Sequence, residues 1–372
     1  MCYDARRVRI LIDYRAALRE RTGVGEYAHE LVSALAALLG PADTLTLFSS
    51  SWKDRLASDV VPGTKVVDAH VPVRLLNFAW HRLRFPPVDW FAPGQDIVHA
   101  MHPIEIPARH AGSFVTVHDL DFLDHPERTR AEIRRDYREL APEAARAADR
   151  VVTVSEFTAS EVVRRLGVDR SRVVVCSPGA PDWAARPAPV PAGPILFMGT
   201  LDARKNVGVL LDAYVRLLSL EPGAPRLLLA GHAPASAAPW IERLARPPLA
   251  GHVEHLGYVA GTRRQDLYRG ASMLVLPSLL EGFGLPVLEA MTIGVPVVVS
   301  DRGALPEVTG DAGQIVPAED AEALAQAMAN YLRDPSRAAA AAARGLEQAR
   351  RYSWRRSART LLSAYTDVVV GR

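Results

Sequence analysis

The chain has 372 residues with a formal net charge of +2, and this even balance gives no reason to expect nucleic acid as its principal partner. Hydrophobic residues make up 49% and charged residues 23%, which is typical of a globular protein with room for two domains. Cys2 and Cys176 are too few for a disulfide framework or a cysteine metal cluster. Together with the lack of a signal-peptide core or a membrane-spanning run, they indicate a cytoplasmic protein.

The first half alternates strand and helix patterns. Residues 8–12 predict a first strand, and an apolar repeat over residues 28–39 predicts the first helix. Between them lies Thr22-Gly-Val-Gly25, and a glycine-rich loop in this position is where a Rossmann unit binds phosphate. A Gly-x-Gly pattern alone is a weak signal, so a plain strand-to-helix turn stays an equal alternative.

Residues 74–91 are rich in arginine and aromatic side chains. One interpretation is an acceptor-site wall or a helix that lies on a membrane surface. The preferred interpretation is an amphipathic segment packed on the sheet, because arginine stems readily cover apolar surface. A peripheral contact with the inner face of the membrane stays open.

The predicted strand over residues 113–117 ends in His118-Asp-Leu-Asp121, so His118 lies where ligands bind in parallel sheets. Its imidazole can donate to a sugar hydroxyl, although a lone histidine is more often structural. Asp119 and Asp121 have the spacing of a metal-binding Asp-x-Asp, but no further ligands cluster beside them. A structural turn is therefore preferred, and orienting His118 or accepting from an acceptor hydroxyl remain alternatives for Asp119.

A Pro- and Ala-rich stretch over residues 181–194 predicts a linker, after which the strand and helix alternation restarts. Arg204 and Lys205 precede a predicted helix over residues 207–220, with Asn206 as its expected N-cap. Two cations at a helix N-terminus oppose the helix dipole, and an anion bound between them would remove that cost. We therefore interpret Arg204 and Lys205 as a clamp for a nucleotide diphosphate.

The central motif follows a predicted buried strand over residues 273–276 and leads into a short helix. Pro286 suits the first helical turn, and Gly294 suits the position just past the helix end. Glu281 is therefore expected in the strand-to-helix loop and Glu289 about one turn into the helix.

Carboxylates in this loop suit ligand hydroxyls rather than a bare phosphate, because hydroxyls can donate to them. Gly282 and Gly284 allow backbone N–H groups to approach a ligand closely. The motif predicts a glycoside or nucleoside ligand, and the alternative is a tight turn with two solvated glutamates.

Glu281 and Glu289, with Gly-Phe-Gly-Leu-Pro between them, resemble the E-x7-E signature of family 4 retaining glycosyltransferases. The resemblance covers nearly the whole chain and implies the α/β GT-B fold, two Rossmann-like doubly wound parallel-sheet domains facing a central cleft. It also implies that residues 354–372 pack back on the first domain. The expected domains are residues 1–180 with 354–372 on the acceptor side, a linker at 181–194, and a nucleotide-sugar-binding domain at 195–353.

The activity implied by the resemblance is transfer of a hexose, with retention of configuration, from a nucleoside diphosphate sugar to a hydroxyl. The donor would be GDP-mannose-like or a UDP- or dTDP-sugar, and the acceptor a glycan, a lipid-linked molecule or a small molecule. No metal or other cofactor is expected. A sugar-nucleotide epimerase on the same fold and a catalytically silent sugar-nucleotide-binding protein are the alternatives. The form of the His118 motif resembles bacterial members that build surface polysaccharides.

The resemblance also implies roles for individual residues. It assigns the ribose hydroxyls to Glu289, the transferred sugar to Glu281 and His118, and the nucleobase to the backbone near Tyr258. The candidate catalytic residues are His118, Arg204, Lys205 and Glu281. The candidate donor-binding residues are Gly23, Gly25, Arg204, Lys205, Tyr258, Val259, Glu281, Gly282, Phe283, Gly284, Leu285 and Glu289.

Overall fold

The computed structural model describes residues 7–18, 23–128 and 131–372, with the side chains of Arg128 and of residues 131–135 left out. Arg21 and Thr22 of the glycine-rich loop lie outside the described residues. The chain divides into two compact units. Unit 1 comprises Met1–Gly179 and Ser353–Arg372, and unit 2 comprises Ala180–Tyr352.

The described strands all belong to parallel sheets. They are β1 (Arg9–Asp13), β2 (Thr44–Ser49), β3 (Lys65–Asp68), β4 (Ile97–Ala100), β5 (Gly112–Val117), β6 (Arg150–Thr153), β7 (Val173–Val175), β8 (Ile195–Met198), β9 (Leu227–Ala230), β10 (Val253–Gly257), β11 (Met273–Leu276), β12 (Val297–Ser300) and β13 (Gln314–Val316).

The α-helices lie between and after these strands along the chain. They are α1 (Val24–Ala36), α2 (Val73–Phe78), α3 (Asp121–Asp124), α4 (Ala131–Ala147), α5 (Glu156–Glu161), α6 (Val207–Leu220), α7 (Ala238–Leu244), α8 (Gly261–Gly270), α9 (Leu285–Ile293), α10 (Leu305–Thr309), α11 (Ala321–Arg333), α12 (Pro335–Ala349) and α13 (Trp354–Val370).

Each unit has the strand order of a doubly wound sheet. Unit 1 reads β3-β2-β1-β4-β5-β6-β7, and unit 2 reads β10-β9-β8-β11-β12-β13. The predicted fold class is therefore confirmed. The order reverses between β1 and β4 in unit 1 and between β8 and β11 in unit 2, and such a reversal leaves a crevice at the carboxyl ends of the strands.

Apolar runs build the middle of each sheet. Every residue of β11 and β12 is buried, as expected for central parallel strands covered on both faces. In unit 1 the final helix α13 packs against the sheet. Its Tyr365 is fully buried, and the Tyr365 hydroxyl contacts His99 of β4 at 2.5 Å. The described chain contains no helix that is both long enough and apolar enough to cross a membrane.

The segment over residues 74–91 is amphipathic. Leu76, Trp80 and Val88 on its inner side belong to the hydrophobic core of unit 1, so the preferred packing interpretation is confirmed for this side. Its outer side leaves large apolar side chains exposed, namely Leu75, Phe78, Leu83, Phe85 and Trp90.

Candidate functional site

The candidate site of unit 2 lies where its strand order reverses. A short 3-10 turn, Ala203–Lys205, follows β8, and the Glu281 loop follows β11. Asp202 caps the turn by accepting the Lys205 backbone N–H at 3.0 Å. Since β8 and β11 are neighbours in the sheet, the two loops meet at the edge where a doubly wound sheet binds its ligand.

The two cations of the first loop converge on the carboxylate of the second. Lys205 Nζ donates to Glu281 Oε1 at 2.5 Å, and Arg204 Nη1 lies 3.3 Å from Oε2. Ser278 Oγ donates to Oε1 at 2.6 Å. Lys205 and Glu281 are only 7% and 6% exposed, so this is a buried cluster. Its three charged side chains together carry one net positive charge.

Burial and charge act in opposite directions on this cluster. Burial by itself would raise the pKa of Glu281, but Lys205 and Arg204 hold it down at about 2. Burial lowers the pKa of Lys205, and the Glu281 carboxylate opposes that shift. Glu281 is therefore ionised at neutral pH and keeps the two cations in place.

From the sequence we expected a bound anion to offset the unfavourable interaction of Arg204 and Lys205 with the dipole of α6. The Glu281 carboxylate already supplies that negative charge. Asn206 is the N-cap residue of α6, as predicted, but its backbone is left-handed, with φ 56°, and its side chain makes no capping hydrogen bond. Its Nδ2 instead donates to the carbonyls of Pro277 at 3.1 Å and Ala318 at 2.7 Å. The Asn206 side-chain amide therefore connects the start of α6 to two neighbouring loops.

The Glu281 loop is braced on both sides. Leu279 N–H donates to Arg204 O at 2.8 Å, and Ala304 N–H donates to Glu281 O at 2.9 Å. Gly303 has φ 62°, and a Cβ there would lie 2.6 Å from Glu281 N, so only glycine allows this approach. These hydrogen bonds and the close packing at Gly303 therefore support the backbone of the Glu281 loop.

The start and end of α9 follow the sequence prediction. Pro286 lies in the first turn, Gly294 is the left-handed C-cap, and Glu289 is the fifth residue of the helix. Gly284 caps the N-terminus at φ 102°, where a Cβ would meet Leu305 Cδ2 at 2.8 Å. Phe283 is buried and contacts Tyr352 edge to face, so its ring is part of the packing of unit 2.

Glu289 is buried as well, with both carboxylate oxygens engaged. Arg264 Nη2 donates to Oε1 and Tyr268 Oη donates to Oε2, each at 2.7 Å. The alternative of two solvated glutamates is wrong, because Glu281 and Glu289 are each 6% exposed. The sequence analysis did not identify Arg264 or Tyr268. Their spacing of four residues on α8, which places both on one helix face, was the available signal.

Tyr258 and Val259 follow β10 at the same sheet edge. The Tyr258 ring stacks on His232, which follows β9, with centroids 4.8 Å apart and planes 11° apart. Val259 is buried. The sequence analysis did not single out His232, although its place after a neighbouring strand was the signal. The predicted contact of this region with a nucleobase stays a prediction.

In unit 1, one ring nitrogen of His118 is bound within the protein. Its Nε2–H donates to Met101 O at 3.2 Å, which assigns the lone pair of the neutral ring to Nδ1. Burial lowers the pKa of His118 and favours this neutral form. Asp119 Oδ1 accepts the Asp121 backbone N–H at 3.1 Å, so the two aspartates shape the turn that opens α3.

The glycines of the first loop have local reasons to be glycine. Gly23 lies at the start of α1 with φ 49°. Gly25 lies in its first turn, where a Cβ would meet Ala16 O at 2.7 Å. Their predicted contact with the donor stays a prediction. No group of three or more His, Cys, Asp or Glu side chains suited to a metal occurs in the part of the chain that the structure describes.

A second polar cluster lies where the strand order of unit 1 reverses. Asp13 ends β1 and accepts from Arg15 Nε at 2.9 Å and Nη2 at 2.7 Å. His102, just after β4, lies 3.1 Å from the same carboxylate. Burial would raise the pKa of Asp13, but Arg15 and His102 hold it far below its usual range. The sequence analysis missed this cluster, whose signal was a polar residue after each of two strands.

Two family models match successive parts of the chain. The model for glycosyltransferase family 4 matches residues 21–182, and the model for glycosyl transferases group 1 matches residues 193–334. The chain is 31% identical over 367 residues to O-antigen chain mannosyltransferase B of Escherichia coli. The match covers 92% of this chain and 96% of that relative.

Solved structures share the fold. Sucrose-phosphate synthase from Thermosynechococcus elongatus aligns with a TM-score of 0.76 at 20% identity, over 98% of this chain and 100% of that one. Anabaena HepE, solved in complex with UDP and glucose, aligns with a TM-score of 0.70 at 15% identity, over 97% of this chain and 100% of that one. The two adjoining family matches and the full-length relative show that the chain belongs to the family 4, group 1 glycosyltransferases.

Proposed function

We propose that this glycosyltransferase moves a hexose from a nucleoside diphosphate sugar to a hydroxyl acceptor, with retention and without a metal. The observation that carries the proposal is the buried cluster of Arg204, Lys205 and Glu281 at the switch point of unit 2. The name of the Escherichia coli relative supports mannose as the sugar and a glycan chain as the acceptor. The UDP and glucose in the HepE complex support a nucleoside diphosphate donor.

The cluster suits a leaving diphosphate. When the bond between the sugar C1 and the β-phosphate oxygen breaks, negative charge grows on the diphosphate. Arg204 and Lys205 exceed Glu281 by one positive charge, and both donate to its carboxylate in a largely buried site. The first turn of α9 adds N–H groups beside the same loop.

The remaining polar groups suit sugar hydroxyls. We propose that Glu289 accepts from the ribose hydroxyls and that the backbone of Phe283 to Leu285 contacts the transferred sugar. In unit 1 we propose that His118 Nδ1 accepts from a hydroxyl, as its neutral tautomer allows. The acceptor oxygen would attack the sugar C1 from the side that the diphosphate leaves, and its proton would pass to the leaving phosphate.

A nucleotide screen tests the donor assignment. Thermal unfolding is measured with GDP, UDP, dTDP and ADP, each with and without EDTA. We expect one nucleoside diphosphate to stabilise the protein by a few kcal/mol at about a hundredfold excess over its Kd, with EDTA making no difference. No stabilisation by any of them would contradict the donor class, and stabilisation that EDTA abolishes would contradict metal independence.

We also propose a peripheral contact with a lipid surface through the exposed apolar side chains of residues 74–91. Phe85 and Trp90 pack edge to face on this outer side, with centroids 4.8 Å apart. Aromatic side chains favour the interface between water and lipid. Replacing Phe85 and Trp90 by glutamate should abolish co-sedimentation with phospholipid vesicles, while Trp52→Glu, at another exposed tryptophan, should not. Equal sedimentation of all three proteins would contradict the contact.

A further inference from the structure

Two side chains donate to Glu289, the predicted ribose contact, and a third side chain packs on both donors. Arg264 Nη2 and Tyr268 Oη each donate to the carboxylate, one to each oxygen. Trp183, from the predicted linker, covers the Arg264 guanidinium at 5.5 Å and lies 6.0 Å from the Tyr268 ring. The guanidinium is thereby fixed on one side by the carboxylate and on another by the indole.

This arrangement determines what Glu289 can do. A carboxylate with little exposure loses its hydration, and a positive partner is needed to keep it charged. The side chains of Glu289 and Arg264 are 8% and 17% exposed. A carboxylate has about four acceptor positions, so one that accepts from protein donors can also accept from ligand hydroxyls.

The linker segment holds the two helices that carry this pair. Arg186 donates through its backbone to Ile293 O at 3.0 Å, and through its side chain to Gly294 O at 3.1 Å and Ala271 O at 2.6 Å. Arg269 donates to Ala184 O at 3.0 Å. These contacts connect the carboxyl ends of α8 and α9, and they fix the helix of Arg264 relative to the helix of Glu289.

We infer that Arg264, held by Trp183, is a positioning residue that makes Glu289 a selective acceptor for the donor ribose hydroxyls. The inference rests on the proposed function, because it takes the ligand of Glu289 to be that ribose. Arg264 acts through Glu289: it pairs with the carboxylate at 2.7 Å and fixes its orientation. The linker residue Trp183 is therefore part of the donor site and not only a connection.

Calorimetric Kd values for GDP and UDP, and for their 2′,3′-dideoxy counterparts, test this inference. For whichever base binds, the Kd of the dideoxy nucleotide is divided by the Kd of the corresponding ribonucleotide. Hydroxyls donating to a charged carboxylate should make this ratio about a hundred in the unaltered protein. In Arg264→Met it should fall below about ten, and Arg264→Lys and Trp183→Leu should give intermediate ratios. Arg263→Met, at the exposed neighbouring arginine, should leave the ratio unchanged.

The variant Glu289→Gln distinguishes failure of the proposed ribose role of Glu289 from failure of the positioning role of Arg264. If Glu289→Gln keeps the full ratio, or if neither GDP nor UDP binds, the proposed ribose role of Glu289 fails. If Glu289→Gln lowers the ratio and Arg264→Met does not, the proposed function stands and the positioning role of Arg264 is overturned. If Arg264→Met and Arg264→Lys both bind the ribonucleotide and its dideoxy counterpart more weakly by the same factor, Arg264 has a merely structural role. That result would also overturn the positioning role of Arg264.

Discussion

Replacing Lys205 by methionine should reduce sugar transfer on the order of a thousandfold. The change keeps the volume of the side chain and removes the cation that lies 2.5 Å from Glu281. Removing one preorganised charge from the leaving-group site costs a factor of about 100 to 1,000, and the loss of the cluster's net positive charge adds to it. Turnover is measured as release of nucleoside diphosphate from the donor that the nucleotide screen selects.

The same change should lower the free energy of unfolding, because Glu281 would keep only Arg204 and Ser278 as partners. A loss of about 3 kcal/mol is expected for a buried carboxylate that loses its closest cation. The double change Lys205→Met with Glu281→Gln should recover part of this stability and none of the activity. Arg243→Met, at a half-exposed cation paired with Asp212, is the matched control. Unaltered turnover in Lys205→Met would refute the diphosphate role.

Acid should destabilise unit 1 through His99. This residue of β4 is fully buried, with Tyr365 Oη at 2.5 Å from Nδ1 and Thr116 Oγ1 at 2.8 Å from Nε2. Burial, with help from His118 and His102, lowers the pKa of His99 to about 3. The unfolded chain binds the proton near pH 6.5 and the folded chain only near pH 3, so stability falls as the pH drops between these values.

The expected loss from this one group between pH 7 and pH 5 is about 2 kcal/mol. His99→Gln, which keeps a donor and an acceptor but cannot titrate, should lose that part of the pH dependence. Denaturant unfolding of both proteins at the two pH values measures the difference, with His110→Gln as an exposed control. The same pH dependence in His99→Gln as in the unaltered chain would show that His99 is not the responsible group.

Local patterns were sufficient to predict the elements that frame the site. The apolar runs that became β11 and β12 are continuous because central parallel strands are buried on both faces. The helix predicted over residues 207–220 is α6, with the same ends. Pro286 and Gly294 identified the start and end of α9 through backbone preferences that do not depend on distant residues.

Contacts between distant residues were not predictable in this way. Lys205 and Glu281 are 76 positions apart, and their pairing depends on β8 and β11 being neighbours in the sheet. The sequence analysis therefore required an external anion where the protein supplies its own. Asn206 occupies the predicted N-cap position, but its side-chain amide binds two other loops, which the local sequence could not show.

The predicted linker shows the same limit. Its proline and alanine content describes an irregular segment and says nothing about what the segment touches. Trp183 and Arg186 lie within it, yet they pack on the helices that carry Arg264 and Glu289. Composition predicted an irregular segment but could not reveal these contacts.

The central claim is that the cluster of Arg204, Lys205 and Glu281 binds the donor diphosphate. Its most direct test is a calorimetric comparison of a nucleoside diphosphate with the corresponding monophosphate, in the unaltered protein and in Lys205→Met. We expect the diphosphate to bind at least about tenfold more tightly than the monophosphate, and Lys205→Met to abolish this preference. Equal affinities in the unaltered protein, or a preference that survives in Lys205→Met, would contradict it.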